Sequence, residues 1–174
     1  MTQIRMSLNG RTVAADTSPR TSLADFLREH MNLTATHLGC EHGVCGACTV
    51  MVNGDPVRAC LTLAVGCDGD DVRTLEGMLN DPVMVALRES FHRHHGLQCG
   101  FCTPGMLVTA LDLIRRGKAS NDREIRHGLA GNICRCTGYT DIVTSVRKEA
   151  EAVAQSGVGG SVGTNMTVQS AAKS

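Results

Sequence analysis

The chain has 174 residues, 42% of them hydrophobic, with 17 Lys and Arg against 17 Asp and Glu, a size that fits one compact domain or two small ones. The even charge balance leaves no basic surplus to neutralise phosphates, which argues against a nucleic-acid ligand. No apolar run approaches the ~18 residues of a membrane span and the N-terminus lacks the pattern of a signal peptide, so a cytoplasmic protein is expected.

Residues 3–8 and 11–15 flank Asn9-Gly10, a dipeptide that accepts the positive φ angles of a tight hairpin turn. From Ser22, a candidate N-cap with Asp25 in the first turn, Leu23, Phe26, Leu27 and Met31 recur at helical spacing. The glycine-rich stretch 39–48 reads as a loop, and Thr49–Val52, Asn53-Gly54 and Val57–Cys60 as a second hairpin. Because the midpoint between Cys48 and Cys60 is residue 54, antiparallel pairing is expected to set these cysteines nearly opposite each other. Residues 67–71 form a turn cluster and Val72–Leu75 a closing strand, so a first domain, a small mixed sheet crossed by one helix, is expected over residues 1–77.

Beyond Gly77 the periodicity turns helical. Asp81-Pro82 supplies an N-cap and a proline at the first helical position, with Val85, Leu87 and Phe91 in a helix to about His94. A second helix starts at Thr103-Pro104, carries Leu107, Leu111 and Ile114, and stops at Gly117. Asn121 caps a third, with Ile125 and Leu129, ended by Gly131; a fourth runs from about Asp141 with Val143, Val146, Ala150 and Val153 on one face. A four-helix bundle over residues 78–154 is therefore expected, giving an α+β chain. The small, polar stretch 155–174 is expected to be a disordered tail.

The chemistry lies in the cysteines. Eight of the nine fall into two sets, Cys40-x4-Cys45-x2-Cys48-x11-Cys60 and Cys99-x2-Cys102-x31-Cys134-x-Cys136. Three thiolates from one loop at x4 and x2 spacing, with a fourth arriving from elsewhere, match the plant-type ferredoxin arrangement for a [2Fe–2S] cluster. Gly39, Gly43 and Gly46 allow the loop to approach such a cluster closely. Zinc, the competing tenant, usually takes two short C-x2-4-C hooks instead. In the second set the long gap reads as a helical hairpin that returns Cys134 to Cys102, and Cys102 and Cys136 sit just before expected helix starts, whose positive ends favour an anionic cluster. Cys67, in the turn cluster, reads as a small side chain or an incidental free thiol. His92, His94 and His95 read as a solvated or interface patch, and His42 as redundant beside four cysteines.

The motifs Gly39-Cys-Glu-His-Gly-Val-Cys-Gly-Ala-Cys48, Gln98-Cys-Gly-Phe-Cys-Thr-Pro-Gly-Met106 and Asn132-Ile-Cys-Arg-Cys-Thr-Gly-Tyr139 resemble the signatures of the xanthine oxidase family. The chain is similar, over about residues 3–153, to the separate small iron–sulfur subunit of bacterial molybdenum hydroxylases. The resemblance implies a β-grasp ferredoxin-like domain followed by a four-helix bundle, two [2Fe–2S] clusters, and two partners in a heterotrimer or its dimer. One partner would be a large subunit bearing molybdopterin in its cytosine dinucleotide form, the other a medium subunit bearing FAD. It implies that the cluster of Cys99, Cys102, Cys134 and Cys136 is buried nearest the pterin, with Gln98 and the Cys136 region hydrogen-bonding the pterin, and that the cluster of Cys40, Cys45, Cys48 and Cys60 faces the flavin. No dinucleotide fingerprint or complete active site lies in this chain, so catalytic residues are expected on the partners, with an N-heteroaromatic or aldehyde-like substrate. The rival readings are an independent ferredoxin-like carrier and a metal-stabilised interaction module.

Overall fold

The structure, a computed structural model, describes residues 1–156. Strands β1 (Thr2–Leu8) and β2 (Arg11–Thr17) pair antiparallel, from Leu8↔Arg11 to Thr2↔Thr17. Asn9 and Gly10 take φ of 53° and 79°, the two left-handed residues a type I′ turn requires. Ser22 caps α1 (Leu23–Asp25) by accepting the Asp25 N–H at 3.0 Å. The expected α-helix to Met31 does not continue, because Phe26–His30 is wound as a π-helix in which the Met31 N–H reaches Phe26 O at 3.1 Å. The wider turn lets Phe26 and Leu27 both enter the core, a tertiary demand that overrides simple helical periodicity.

Strands β3 (Thr49–Val52), β4 (Asp55–Arg58) and β5 (Asp71–Arg73) complete a five-stranded sheet of order β2-β1-β5-β3-β4. β5 runs parallel to β1 and antiparallel to β3, so it welds the two hairpins together. It is shorter than the expected Val72–Leu75. The Asn9 side chain accepts the Thr74 N–H at 2.9 Å and donates to Thr74 Oγ1 at 3.0 Å, and Leu75–Met78 then tightens into a 3₁₀ turn. Ile4, Met6, Leu8, Leu23, Phe26, Leu27, Val50 and Val72 form the core under this sheet. Each such buried side chain stabilises by about 1.5–3 kcal/mol relative to exposure. Cys67 belongs to this core, where burial first, and Asp70 second, push its thiol above the ordinary range.

Four further helices follow. Asp81 caps α2 (Pro82–Arg93) by accepting the Val83 and Met84 N–H groups at 3.1 Å each. Its buried face is Met84, Leu87 and Phe91, while Val85 points to solvent. Helix α3 (Thr103–Arg115) ends with Gly117 at φ 65° and the Lys118 N–H on Leu113 O at 2.8 Å. Asn121 caps α4 (Asp122–Gly128) through the Glu124 N–H at 3.0 Å. Helix α4 stops short of Gly131 because residues 129–132 tighten into turns, the Asn132 N–H bonding Leu129 O at 2.9 Å, which delivers Asn132 to the interior. Helix α5 (Thr140–Ser156) takes in Gln155 and Ser156, so the expected tail from residue 155 otherwise lies outside the described residues.

The most buried helix is α3, which packs against α2, α4, α5 and strand β3. Around it Met84, Leu87, Phe91, Ile125, Leu129, Ile142, Val143 and Val146 make the second core. The Ser90 hydroxyl donates to Ser145 O at 2.8 Å, tying α2 to α5. Among the described residues no helix is long and apolar enough to cross a membrane.

Two arginines lock the β3–β4 hairpin to the helices. Arg116, at the end of α3, reaches Asp55 Oδ1 at 2.7 Å and Gly54 O at 2.9 Å while its Nε holds Asp112 at 2.6 Å. Arg58 donates to Thr49 Oγ1 at 2.6 Å and to Gly131 O at 2.7 Å. The hairpin is thereby held at its turn and at its base, which fixes where its cysteines sit relative to those of the helical half.

Candidate metal centres

In the first cysteine loop, Glu41, Gly43 and Gly46 all have positive φ. This coiled backbone turns the His42 and Cys45 N–H groups onto Cys40 Sγ, at 3.4 and 3.3 Å. Those donors, Cys45 first, hold the Cys40 thiol down at about 6. The His42 side chain is exposed, so this residue serves through its backbone. Gly39 is needed for space rather than for positive φ, since a Cβ there would stand 3.2 Å from both Cys45 Sγ and the Phe101 ring.

Cys60 is not opposite Cys48 as the midpoint suggests. The register Thr49↔Arg58 makes Ala59 the neighbour of Cys48, with the Ala59 N–H on Cys48 O at 3.3 Å. A one-residue offset would put Cys60 on the wrong face of a continuing strand. The 3₁₀ turn Ala59–Leu61 turns it back, so that the Cys48 and Cys60 thiols are neighbours. Burial pushes the Cys48 thiol up to about 11. Cys40 likewise pairs with Cys45, so the first tetrad stands as two pairs.

The second tetrad is gathered by helix ends and turns. Cys102 is the N-cap of α3, and Cys134 follows the α4 turn, so the long sequence gap closes as a helical hairpin. Cys136 lies four residues ahead of α5 rather than at its N-cap, because residues 137–139 form an intervening turn with Tyr139 at φ 70°. Cys136 and Cys99 sulfurs are 3.4 Å apart, and the Cys102 and Cys134 thiols are neighbours. Burial pushes the Cys102 thiol up to about 12, whereas the Phe101 N–H lowers Cys99. Burial opposes ionisation of Cys134, but the Thr137 hydroxyl and the Thr137 and Cys136 N–H groups outweigh it and leave that thiol lowered. Cys99 and Cys136 are exposed on this chain, and Gln98 beside them is exposed too.

Among the described residues no three His, Cys, Asp or Glu side chains converge as they would on a single metal ion. The sulfurs stand instead in two pairs per tetrad. A sulfide-bridged diiron cluster takes two thiolates on each iron, so the pairs Cys40/Cys45 and Cys48/Cys60, and Cys99/Cys136 and Cys102/Cys134, fit that group.

The two loops are joined directly. The Ile133 N–H donates to Cys45 O at 2.8 Å, and Asn132, 1% exposed, donates to Gly46 O at 3.0 Å while accepting the Thr109 hydroxyl at 3.1 Å. Gly105 and Gly46 meet where no side chain fits between α3 and the first loop. Phe101, between Cys99 and Cys102, stacks on His37 with ring centroids 4.9 Å apart. Tyr139 braces Cys134 by accepting its N–H at 2.8 Å and donating to Asn132 O at 3.2 Å. Motif reading singled out none of Asn132, Thr137, Arg58 and Phe101 as separate site residues. An asparagine two residues ahead of a ligand cysteine was the one available signal. His92, in the last turn of α2, and His95, just past its C-cap, are both exposed.

Two tetrads of paired thiols, one in a ferredoxin-like sheet domain and one among helices, define a two-cluster iron–sulfur protein. Family comparison agrees: a 2Fe-2S iron-sulfur cluster binding domain matches residues 6–72, and a [2Fe-2S] binding domain matches residues 74–147. The caffeine dehydrogenase subunit gamma of Pseudomonas sp. strain CBB1 is 49% identical, over 83% of this chain and 88% of its own length. The structure of quinoline 2-oxidoreductase from Pseudomonas putida 86 superposes with a TM-score of 0.83 at 44% identity, covering 90% of this chain and 97% of the matched one. Aldehyde oxidoreductase from Desulfovibrio gigas matches with a TM-score of 0.80 at 35% identity, and there 90% of this chain corresponds to 18% of a much longer one. The chain belongs to the family of small iron–sulfur subunits of molybdenum hydroxylases, and is an electron-transfer subunit of an oxidoreductase.

Proposed function

We propose that this chain relays single electrons from a molybdopterin centre on a large partner subunit to FAD on a medium one, through two [2Fe–2S] clusters held by the paired thiols. When bound, each cluster supplies one-electron transfer, which lets a two-electron oxidation be passed on in steps to a flavin that stores both. The observation that carries the reading is the direct joint between the tetrads, the 2.8 Å hydrogen bond from Ile133 N–H to Cys45 O, one residue from Cys134. This chain's own part is to hold thiolates in pairs, donate backbone N–H groups to Cys40, and keep the two loops at a fixed separation through Asn132 and Arg58.

The exposed Cys99, Cys136 and Gln98 suit the pterin-facing side, where Gln98 and the Cys136 region would hydrogen-bond the pterin. The other tetrad would face the flavin. Exposed apolar side chains flank both, Val44, Leu61 and Leu63 beside the first and Leu97, Phe101 and Ile133 beside the second, which favours partners over a free carrier. We infer a domain division near Gly77, a β-grasp first half, a four-helix bundle in the second, and a heterotrimer or its dimer in the cytoplasm. The reducing cytoplasm suits thiolate ligands. Relatives named for caffeine and quinoline favour an N-heteroaromatic substrate, and we infer the cytosine dinucleotide form of the pterin from the motif resemblance alone.

The test is Cys99→Ser in the assembly purified from its native host, with N-heteroaromatics such as quinoline and caffeine screened on the unaltered assembly for one that reduces the flavin. The variant should lose substrate-driven flavin reduction while dithionite still reduces the flavin. Normal substrate-driven reduction would contradict a series path.

A further inference from the structure

We propose that the Thr137 hydroxyl, by donating a hydrogen bond to Cys134 Sγ, sets the reduction potential of the cluster held by the second tetrad. The inference rests on Cys134 being a cluster ligand, as proposed above. Thr137 touches no metal and works through the sulfur, so it is a positioning residue for that centre.

The direction of the hydrogen bond follows from proton counting. Thr137 Oγ1 lies 3.2 Å from Cys134 Sγ and also accepts the Tyr139 N–H at 3.2 Å. With one lone pair engaged by Tyr139, the single hydroxyl proton is free for Cys134, and a metal-bound thiolate has no proton to return. Tyr139 is held in turn, at φ 70° and with its phenol on the Cys134 N–H and Asn132 O. Hydroxyl, amide and sulfur therefore form a closed local ring that does not depend on a partner subunit.

Cys134 is the one buried thiol of its tetrad, at 8% exposed. Water competes little there, so a hydrogen bond to it counts for more than one at the surface. Reduction adds one electron to the cluster while the proton stays on the Thr137 oxygen. The extra negative charge spreads onto the ligand sulfurs and strengthens the hydrogen bond, so the reduced state is favoured and the potential raised. In the first tetrad the corresponding donors are the backbone N–H groups of His42 and Cys45 on Cys40. The hydroxyl thus gives the second centre an adjustment that side-chain substitution can remove without touching the first.

The experiment is a dithionite redox titration of the purified assembly, followed by the separate paramagnetic signals of the two reduced clusters. Thr137→Val should lower the second cluster's reduced-to-oxidised ratio about threefold to tenfold at the unaltered protein's midpoint, tenfold being about 59 mV for one electron. The first cluster should not move, and Thr137→Ser, which keeps the hydroxyl, should titrate like the unaltered protein. If the valine variant does not assemble, Thr137→Ala removes the same hydroxyl with less bulk and must show the same shift. Unshifted potentials in the hydroxyl-free variants, or a serine variant shifted as far as they are, would overturn the role of Thr137 alone. Absence of a second cluster signal in the unaltered assembly would overturn the ligand assignment beneath it.

Discussion

Asn132 carries more polar obligation than any other side chain between the two centres. It donates to Gly46 O, approaches Thr49 Oγ1 at 3.4 Å and accepts from Thr109, all out of contact with water. Asn132→Leu keeps the volume but strands the Thr109 hydroxyl, at about 1–3 kcal/mol for a buried group left unpaired, while the Gly46 carbonyl keeps the Thr49 N–H and hydroxyl. Chemical denaturation of the assembly should show roughly 1–3 kcal/mol of lost stability, together with weaker magnetic coupling between the reduced clusters. A variant within about 0.5 kcal/mol of the unaltered protein would mean that the network is energetically neutral. Glu149 on α5 makes the opposite contribution. Burial raises its carboxyl above the ordinary range, so the folded state holds the proton more tightly than the unfolded chain. The stability this confers is complete below the unfolded value and is lost as pH rises through the folded one. Glu149→Gln should therefore melt higher than the unaltered protein at pH ~7, with the gap closing below pH ~4. An equal melting temperature at neutral pH would show that the carboxylate is solvated after all.

At the scale of elements, the decisive contact is between the first cysteine loop and the turn of residues 129–132 that follows α4. Gly46 has φ 73°, and a Cβ on it would collide with Gly131 O and Asn132. Gly46→Ala should cost at least about 1–3 kcal/mol from the strained backbone alone. More tellingly, it should lower iron incorporation at the first tetrad, measured per chain after purification. Full iron content in that variant would show that the loop can reseat without the close approach. The elements themselves were legible wherever the signal was local. Asn9-Gly10 and Asn53-Gly54 specify hairpins through their own backbone preferences, and Asp81 and Asn121 specify helix starts through their own side chains. The π-helical Phe26–His30 was not legible, because it answers to a core completed by Val50 and Val72. The one-residue offset of Cys60 was missed for a related reason. It depends on the two-residue turn at 53–54, whose true centre falls between the residues, and on the 3₁₀ turn that follows β4. The site divides the same way. Its candidate ligands are visible as cysteine spacing, while Thr137, Arg58 and Asn132 matter only through contacts that the folded chain creates.

Across the whole molecule, two cores lie on either side of a hairpin that Arg58 and Arg116 clamp to the helices, and the two tetrads meet at their seam. The surface beside each tetrad is apolar enough to need covering. Leu61→Ser together with Val44→Ser should reduce co-purification of the FAD-bearing subunit and spare the molybdenum-bearing one. Loss of both partners, or of neither, would contradict the assignment of that face. The central claim, two diiron centres in one chain, is tested most directly by counting iron, acid-labile sulfide and reduced-state spins on the assembly. The account predicts about four iron, four sulfide and two dithionite-induced spins per copy of this chain, with one spin lost in Cys99→Ser. Zinc without sulfide, or a single spin in the unaltered protein, would contradict it.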